Sequence, residues 1–487
     1  MHEKTLLYSA LFVTAVAGTL GVLKERRGSN SQGPAPASNI TRLSIGESAP
    51  IASTDMASAP IALTASDGSG IALVTLEARA AIEGPLALTE IRLVFENPED
   101  RVREGTFRMT LPQGASLSRF AMKVADVWQE GEVVERQAAR RAYEDFLHRR
   151  QDPALLEQAG GNEFTARVFP IPARGRKELV LTYSEVLNVG APFTIPLKGL
   201  PSLSSLDVDV HSESSSFGLH KTKYAPPEDF TVPEKELPHV AGLRSGELAV
   251  ARIVPFGTSR PEPIASAVVL VDTSASRALG IREQAEEVRA VLAKLGEAKV
   301  SVAAFDQEVV PIHAGAAASF GEAGAKRLVD RGALGGSNLE KAIAWAGTEA
   351  KRMGAKRIVL VTDGVATAGE TDAQKLRVKV EALRAAGIAR LDAIAIGGIR
   401  DEALLRTIAR GVLDKDGVVL DGKQEVATIA RRLGEATTSG IPVVVEGASW
   451  SWPTSLDGLQ AGDPVVVFAK TDAKGSEGPL KVKIGAQ

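Results

Sequence analysis

Residues 266–276, with the sequence SAVVLVDTSAS, decide the fold of the second half of this chain. A nearly continuous apolar run that ends in an acid is typical of a strand buried on both faces of a parallel sheet. Comparable runs recur farther along, and amphipathic helical stretches separate them: KVSVAAFD (299–306), KRIVLVTDG (356–364) and LDAIAIG (391–397). This alternation predicts a doubly wound, mostly parallel α/β sheet over residues 265–438.

The loop that leaves the first of these strands carries Asp272, Ser274 and Ser276 at alternate positions. Such a spacing can turn one carboxylate and two hydroxyls toward one point. These groups are hard ligands, which suit Mg²⁺, Mn²⁺ or Ca²⁺ better than zinc or copper. Asp and Ser are also favoured helix N-cap residues, so an ordinary cap is the competing interpretation of this loop.

Two more segments strengthen the metal interpretation. Gly335-Gly336-Ser337-Asn338-Leu339 leads into a helix, and Thr362-Asp363-Gly364 ends a buried strand. Alone, they are typical of a helix cap and of a strand-to-turn junction. In a doubly wound sheet, however, strand carboxyl ends and helix amino ends share one edge. Five side chains are therefore predicted to converge on one metal ion: Asp272, Ser274, Ser276, Ser337 and Asp363.

The remaining ordered regions show β-type patterns. Residues 61–190 alternate apolar and polar positions in short runs, which predicts an N-terminal antiparallel β-sandwich domain. A charged amphipathic stretch at 134–147 predicts one helix within it. Residues 191–264 are richer in proline and serine and predict a β-rich connector, and residues 439–487 predict a C-terminal β segment. The fold class is therefore α/β plus all-β.

Composition excludes several classes of protein. The 487 residues include no cysteine, which excludes a disulfide scaffold, a thiolate zinc site and a cysteine nucleophile. Lys and Arg number 57 against 60 Asp and Glu, so a net charge of −3 gives no reason to expect a nucleic-acid partner. The sequence contains no Gly-x-Ser-x-Gly elbow, P-loop or His-Glu-x-x-His motif, and the protein is predicted not to be an enzyme.

The segment from 265 to 438 resembles a von Willebrand factor type A domain. Its Asp-x-Ser-x-Ser, Gly-Gly-Ser-Asn-Leu and Thr-Asp-Gly segments are similar to that family's metal-ion-dependent adhesion site. The family usually has threonine where this chain has Ser337, and serine keeps the hydroxyl. The resemblance implies that an Asp or Glu of a protein partner completes the octahedral coordination of the ion. It therefore implies recognition rather than catalysis.

Residues 61–190 resemble a vault protein inter-alpha-trypsin (VIT) domain. The resemblance is carried by QAARRAYE (137–144), NEFTARV (162–168) and LTYSE (181–185). A VIT-like domain followed by a von Willebrand factor A-like domain is the order found in inter-alpha-trypsin inhibitor heavy chains and their bacterial relatives. The resemblance implies that both domains lie outside the cytoplasm.

The amino terminus divides into residues 1–27, a membrane anchor or signal segment, and residues 28–60, a disordered linker rich in Ser, Ala, Pro and Gly. Residues 5–23 are uncharged and long enough to cross a bilayer once. The alternative is a signal peptide, cleaved after Ala17, that would release a secreted protein. Basic residues at 24, 26 and 27 would place the C-terminal side of this segment in the cytoplasm. The domains that follow favour a location outside the cytoplasm.

Together these features predict a metal-ion-dependent adhesion or protein-interaction module at the cell envelope, anchored by one membrane pass with its domains extracytoplasmic. The bound ion, which is Mg²⁺, Mn²⁺ or Ca²⁺, would bind an acidic group of the partner. One alternative is a structural or assembly subunit of the envelope with a purely structural metal. A second is a phosphatase-like hydrolase that uses Asp272 as its nucleophile.

Overall fold

The computed structural model describes residues 40–41, 59–133, 155–158, 161–188, 190–213, 215–237, 242–471 and 481–485. It divides into two compact units. The first comprises the described residues of Met1–Ile253, Gly447–Trp452 and Val466–Pro479, and the second comprises those of Val254–Glu446, Pro453–Val465 and Leu480–Gln487.

Several predicted segments lie outside the described residues, namely the anchor or signal segment (1–27), most of the linker (28–60) and the helix at 134–147. Among the residues that are described, no helix is both long and apolar enough to cross a membrane. The membrane anchor and its alternative, a cleaved signal peptide, therefore both stay predictions.

The first unit is built from strands whose apolar residues alternate with polar ones. In chain order they are β1 (Ile40–Thr41), β2 (Ile61–Ala65), β3 (Gly70–Glu83), β4 (Leu86–Glu96), β5 (Arg103–Thr110), β6 (Ser116–Val124), β7 (Val127–Glu130), β8 (Glu132–Val133), β9 (Leu155–Gln158), β10 (Glu163–Ile171), β11 (Arg176–Val186), β12 (Phe193–Ile195), β13 (Leu203–Ser212), β14 (Ser216–Tyr224), β15 (Phe230–Val232), β16 (Gly242–Ser245) and β17 (Leu248–Ile253). A short 3₁₀ helix spans Glu234–Glu236.

Most of these strands join one continuous sheet in the order β7-β6-β11-β4-β3-β2-β5-β10-β9-β8, with β13 and β14 attached beside β3. Strands β11, β4 and β3 pair antiparallel, whereas β13 runs parallel to β3. Alternate residues of β4, such as Leu93 and Phe95, enter one large apolar core. Leu206 and Val208 of β13 enter the same core, so part of the predicted connector (191–264) contributes to this sheet.

The second unit alternates strands and helices. Its strands are β18 (Ser266–Asp272), β19 (Lys299–Phe305), β20 (Val309–Ala316), β21 (Arg357–Thr362), β22 (Arg390–Ala395), β23 (Val419–Asp421) and β24 (Ile441–Val445). Its helices are α1 (Ile281–Leu295), α2 (Gly321–Arg331), α3 (Leu339–Met353), α4 (Ala373–Glu381), α5 (Glu402–Ala409) and α6 (Val426–Leu433). Short 3₁₀ helices span Ala275–Arg277, Ala317–Phe320 and Ala382–Ala386.

The central sheet of this unit has the order β20-β19-β18-β21-β22-β23, and every pairing is parallel except that of β20 with β19. Successive residues of β18 face opposite sides: Val269 and Val271 pack with α1, α2 and α6, whereas Val268 and Leu270 pack with α3, α4 and α5. The predicted α/β sheet with helices is confirmed. The chain leaves β18 on one side and returns at β21 on the other, so the carboxyl ends of these two strands form the topological switch point of the sheet.

The last strands of the chain are β25 (Ala448–Trp452), β26 (Ser455–Leu456), β27 (Val465–Thr471) and β28 (Val482–Ile484). The first unit holds the sheet β16-β17-β27-β25, and the second holds the sheet β26-β24-β28. The predicted C-terminal β segment (439–487) is thus β-structured where it is described and supplies strands to both units.

Candidate metal centre

Asp272 ends β18 and is fully buried. Its Oδ1 accepts a hydrogen bond from the backbone N–H of Ser274 at 2.9 Å. Its Oδ2 accepts from Ser337 Oγ at 3.1 Å and from Thr362 Oγ1 at 2.6 Å. One carboxylate therefore contacts all three segments that the sequence predicts to meet.

Ser274 and Ser276 lie in the loop that follows β18. The Ala275 N–H donates to the Gly335 carbonyl at 2.9 Å, which fastens this loop to the glycine-rich segment before α3. Ser274 is buried and Ser276 is exposed. Their Oγ atoms are 3.1 Å apart, and Ser276 Oγ donates to Asp363 Oδ2 at 2.7 Å. Both hydroxyls therefore stand near the second carboxylate.

Ser337 lies immediately before the N-cap of α3 and is 1% exposed. The cap itself is Asn338, whose side chain accepts from the Lys341 N–H at 3.0 Å. This leaves the Ser337 hydroxyl to face Asp272. The Ser337 backbone is held by Thr367, whose Oγ1 accepts from the Ser337 N–H at 2.8 Å.

Asp363 follows β21 and is 2% exposed. The chain turns sharply at Gly364, whose φ is 77° and where a Cβ would come within 2.8 Å of the Asp401 carbonyl oxygen, so only glycine fits. Asp363 Oδ1 accepts from the Val365 N–H at 2.9 Å. Burial and the neighbouring Asp272 carboxylate raise the pKa of Asp363, and Arg277, the Val365 amide and Ser276 oppose that rise.

The structure therefore brings all five predicted ligands together at one edge of the sheet. Two carboxylates and three hydroxyls form a hard donor set that fits Mg²⁺, Mn²⁺ or Ca²⁺. No group of three or more His, Cys, Asp or Glu side chains suited to a metal occurs among the described residues. An ion at this edge would thus depend on the serine hydroxyls as well as the acids, and the ligand roles themselves stay predictions.

Three residues that contact the predicted metal ligands were not predicted from the sequence. Thr362 donates to Asp272, as described above, and its position inside the Thr-Asp-Gly segment is a signal that was available. Gln284 of α1 donates from Nε2 to the Asp272 carbonyl at 2.6 Å, and nothing in its sequence surroundings marks it. Arg277 places its Nη2 2.9 Å from Asp363 Oδ2, and its position directly after Ser276 is the only hint.

Two domain families match this chain. The vault protein inter-alpha-trypsin domain matches residues 73–183, and the von Willebrand factor type A domain matches residues 265–412. Inter-alpha-trypsin inhibitor heavy chain H4 of Bos taurus is 29% identical over 147 residues, which cover 29% of this chain and 16% of that relative. The chain thus spans only a small part of the length of the relative it matches.

Solved structures also match parts of this chain. A von Willebrand factor type A protein from Catenulispora acidiphila is 17% identical, with a TM-score of 0.29, and the match covers 46% of this chain and 61% of that one. The manganese-loaded TRAP protein of Plasmodium vivax is 15% identical, with a TM-score of 0.29, covering 46% of this chain and 97% of that one. From its domain matches, the chain carries a VIT domain followed by a von Willebrand factor type A domain, which is the architecture of the inter-alpha-trypsin inhibitor heavy-chain-like proteins.

Proposed function

We propose that the second unit is a metal-ion-dependent protein-interaction module, in which Asp272, Ser274, Ser276, Ser337 and Asp363 hold Mg²⁺, or Mn²⁺ or Ca²⁺ in its place. One observation carries the proposal. Hydrogen bonds from Ser337 to Asp272 and from Ser276 to Asp363 join loops that are distant in sequence into one oxygen cluster. When bound, the ion supplies a positive vertex at which an incoming carboxylate can replace water.

The partner that fits such a site presents an Asp or Glu. Two exposed leucines support a further feature of that partner. Leu334 is 62% exposed and its N–H donates to the Thr273 carbonyl at 2.9 Å, beside the site loop. Leu279 is 68% exposed and follows the same loop by a few residues. Apolar side chains next to an acid-binding site favour a partner whose acid is flanked by apolar residues.

The proposed setting is the cell envelope, with the module held by the N-terminal segment and both units extracytoplasmic. A nucleic-acid partner is not proposed, because the net charge of −3 offers no basic surface excess. No catalytic activity is proposed either. The envelope location rests on the sequence of residues 1–27 and on the domain order.

The test is affinity capture with the full chain as bait, in cells that express it, with Mg²⁺ or EDTA added before chemical cross-linking and lysis. We expect partner proteins that are captured in Mg²⁺, lost in EDTA, and lost with the variant Asp363→Asn in Mg²⁺. Capture that is identical in all three conditions would contradict metal-dependent docking. A metal that changes only thermal stability would favour the structural alternative, and phosphoester turnover lost in Asp272→Ala would favour the hydrolase.

A further inference from the structure

Arg277 is the residue that directly follows the Asp-x-Ser-x-Ser segment, and it ends the 3₁₀ helix Ala275–Arg277. Its backbone N–H donates to the Ser274 carbonyl at 2.9 Å, which turns the chain back toward the site. Its side chain is only 10% exposed. A charged side chain that is this deeply covered requires charged or hydrogen-bonding partners close by.

Those partners are two of the five predicted ligands. Arg277 Nη2 lies 2.9 Å from Asp363 Oδ2, and Arg277 Nε donates to Ser276 Oγ at 3.2 Å. The guanidinium also lies close to Gly397, whose φ is 87° and where an added Cβ would require the guanidinium to move. The guanidinium therefore occupies a fitted position in contact with the predicted metal ligands.

This position changes the charge of the site. Asp272 and Asp363 together carry two negative charges, which a divalent ion alone would neutralise. Arg277 adds one positive charge, so the ion-loaded site carries a net charge of +1 instead of zero. Arg277 also contacts a carboxylate oxygen of a predicted ligand, because Asp363 Oδ2 is the acceptor of both the guanidinium and the Ser276 hydroxyl.

We propose that Arg277 is a built-in counter-ion that weakens divalent-ion binding in the free protein and couples ion binding to the arrival of the partner's carboxylate. This inference rests on the proposed function. The guanidinium already pairs with Asp363 Oδ2, so an ion that used this oxygen would share it with Arg277 or displace Arg277. An incoming carboxylate then neutralises the excess charge of the loaded site and strengthens ion binding. Linkage requires the reverse as well: the ion strengthens carboxylate binding by the same factor.

The test is isothermal titration of MgCl₂ into the purified full chain, with acetate as the carboxylate probe. Wild type is compared with Arg277→Gln, which removes the charge. The matched control is Arg282→Gln, which removes the same charge from an exposed position of α1. We expect Arg277→Gln to bind Mg²⁺ about tenfold more tightly, as loss of a repulsive charge within a few ångströms predicts. Arg282→Gln should stay within about twofold of wild type because exposed charges are screened.

Acetate supplies the second readout. It should increase the Mg²⁺ affinity of wild type by a larger factor than that of Arg277→Gln, since the variant lacks the excess charge. Arg277→Lys, which keeps the charge, should resemble wild type. If Arg277→Gln is poorly folded in EDTA, its melting temperature should recover in Mg²⁺, because the ion then takes over the neutralisation of Asp363.

Three results would overturn the inference. Equal Mg²⁺ affinity in wild type and Arg277→Gln would show that Arg277 does not compete, while leaving the metal site intact. Weaker binding in Arg277→Gln would show that Arg277 only supports the ligands. Absence of Mg²⁺ binding in both proteins would contradict the proposed function itself. Binding in Arg277→Gln but not in wild type would support the inference in its strongest form.

Discussion

The central sheet of the second unit buries charged side chains at both of its ends, and the two clusters are built differently. At the amino ends of the strands, Arg357 Nε lies 3.0 Å from Asp392 Oδ2, and Arg390 Nε lies 2.8 Å from Asp392 Oδ1. Glu262 adds a second carboxylate there, which contacts Lys415 at 2.6 Å and Arg390 at 3.3 Å. Cations therefore outnumber acids in this cluster.

At the carboxyl ends of the strands, acids outnumber cations. Asp272 and Asp363 face mainly hydroxyls, and Arg277 is the cation that contacts Asp363. Guanidinium groups cannot ligate a metal ion, whereas carboxylates and hydroxyls can. The amino-end cluster therefore has the composition of a structural ion-pair network, and the carboxyl-end cluster has the donors and the negative charge to accept a divalent ion.

The largest effect is expected at the amino end. Asp392→Asn leaves two buried guanidinium groups without their shared carboxylate, and Arg390 is only 1% exposed. The free energy of unfolding should fall by about 3–5 kcal/mol, as expected when one partner of a buried ion pair is removed. Urea denaturation followed by the helical circular dichroism signal measures this. The Mg²⁺ affinity of the folded variant should not change. A loss of Mg²⁺ binding would mean that the two clusters do not have separate roles.

For Asp363→Asn we expect a large loss of Mg²⁺ affinity and a smaller loss of stability. Loss of one of the two carboxylates should weaken Mg²⁺ binding by about 100-fold, measured by titration calorimetry. The loss of stability in EDTA should be smaller than for Asp392→Asn, because the change also removes the repulsion between Asp363 and Asp272. Adding Mg²⁺ should raise the melting temperature of wild type and not that of this variant. An equal rise in both proteins would mean that the ion binds elsewhere.

A smaller loss of Mg²⁺ affinity is expected for substitutions of Ser337. Alanine removes the hydroxyl, and threonine retains it. Ser337→Ala should weaken Mg²⁺ binding by about tenfold, whereas Ser337→Thr should stay within about threefold of wild type, because only the hydroxyl is a ligand. If the alanine and threonine variants bind Mg²⁺ equally well, Ser337 is a structural residue and the ligand set must be revised.

The smallest effect is a pH dependence. Asp363 has an ordinary pKa of 3.8 in the unfolded chain and a raised pKa in the folded one. The native state therefore holds the proton more tightly, so metal-free stability falls as pH rises above 3.8 and levels off beyond the raised pKa. Denaturation in EDTA from acidic to neutral pH should show this decline for wild type relative to Asp363→Asn. If the free energy of unfolding changes with pH in the same way in both proteins, the pKa of Asp363 is not raised.

Local sequence explains what could be predicted in this molecule. The apolar runs at 266–272 and 357–362 identify buried strands, and the acids that follow them must lie at strand ends. The fold class then places Asp272 and Asp363 on one edge of the sheet, and the pairing of β18 with β21 in the structure makes them neighbours. The same reasoning reaches Ser337, because it precedes a helix.

Long-range pairing explains what could not be predicted. Asp392 and Glu262 meet Arg390 only through the fold, since Glu262 and Arg390 are 128 positions apart. The parallel pairing of β13 with β3 joins residues near 208 to residues near 78, and alternation alone does not name a strand's neighbour. The turn that carries Arg277 back to Asp363 likewise depends on tertiary contacts.

We propose that oxygens from separate loops surround one divalent ion at the carboxyl end of β18. Crystals of the protein grown with MnCl₂ and measured at the manganese absorption edge test it most directly. We expect a single strong anomalous peak at about 2.0–2.3 Å from ligand oxygens among Asp272, Ser274, Ser276, Ser337 and Asp363. An anomalous map with no peak at this edge of the sheet, or with its peak on another surface, would contradict it.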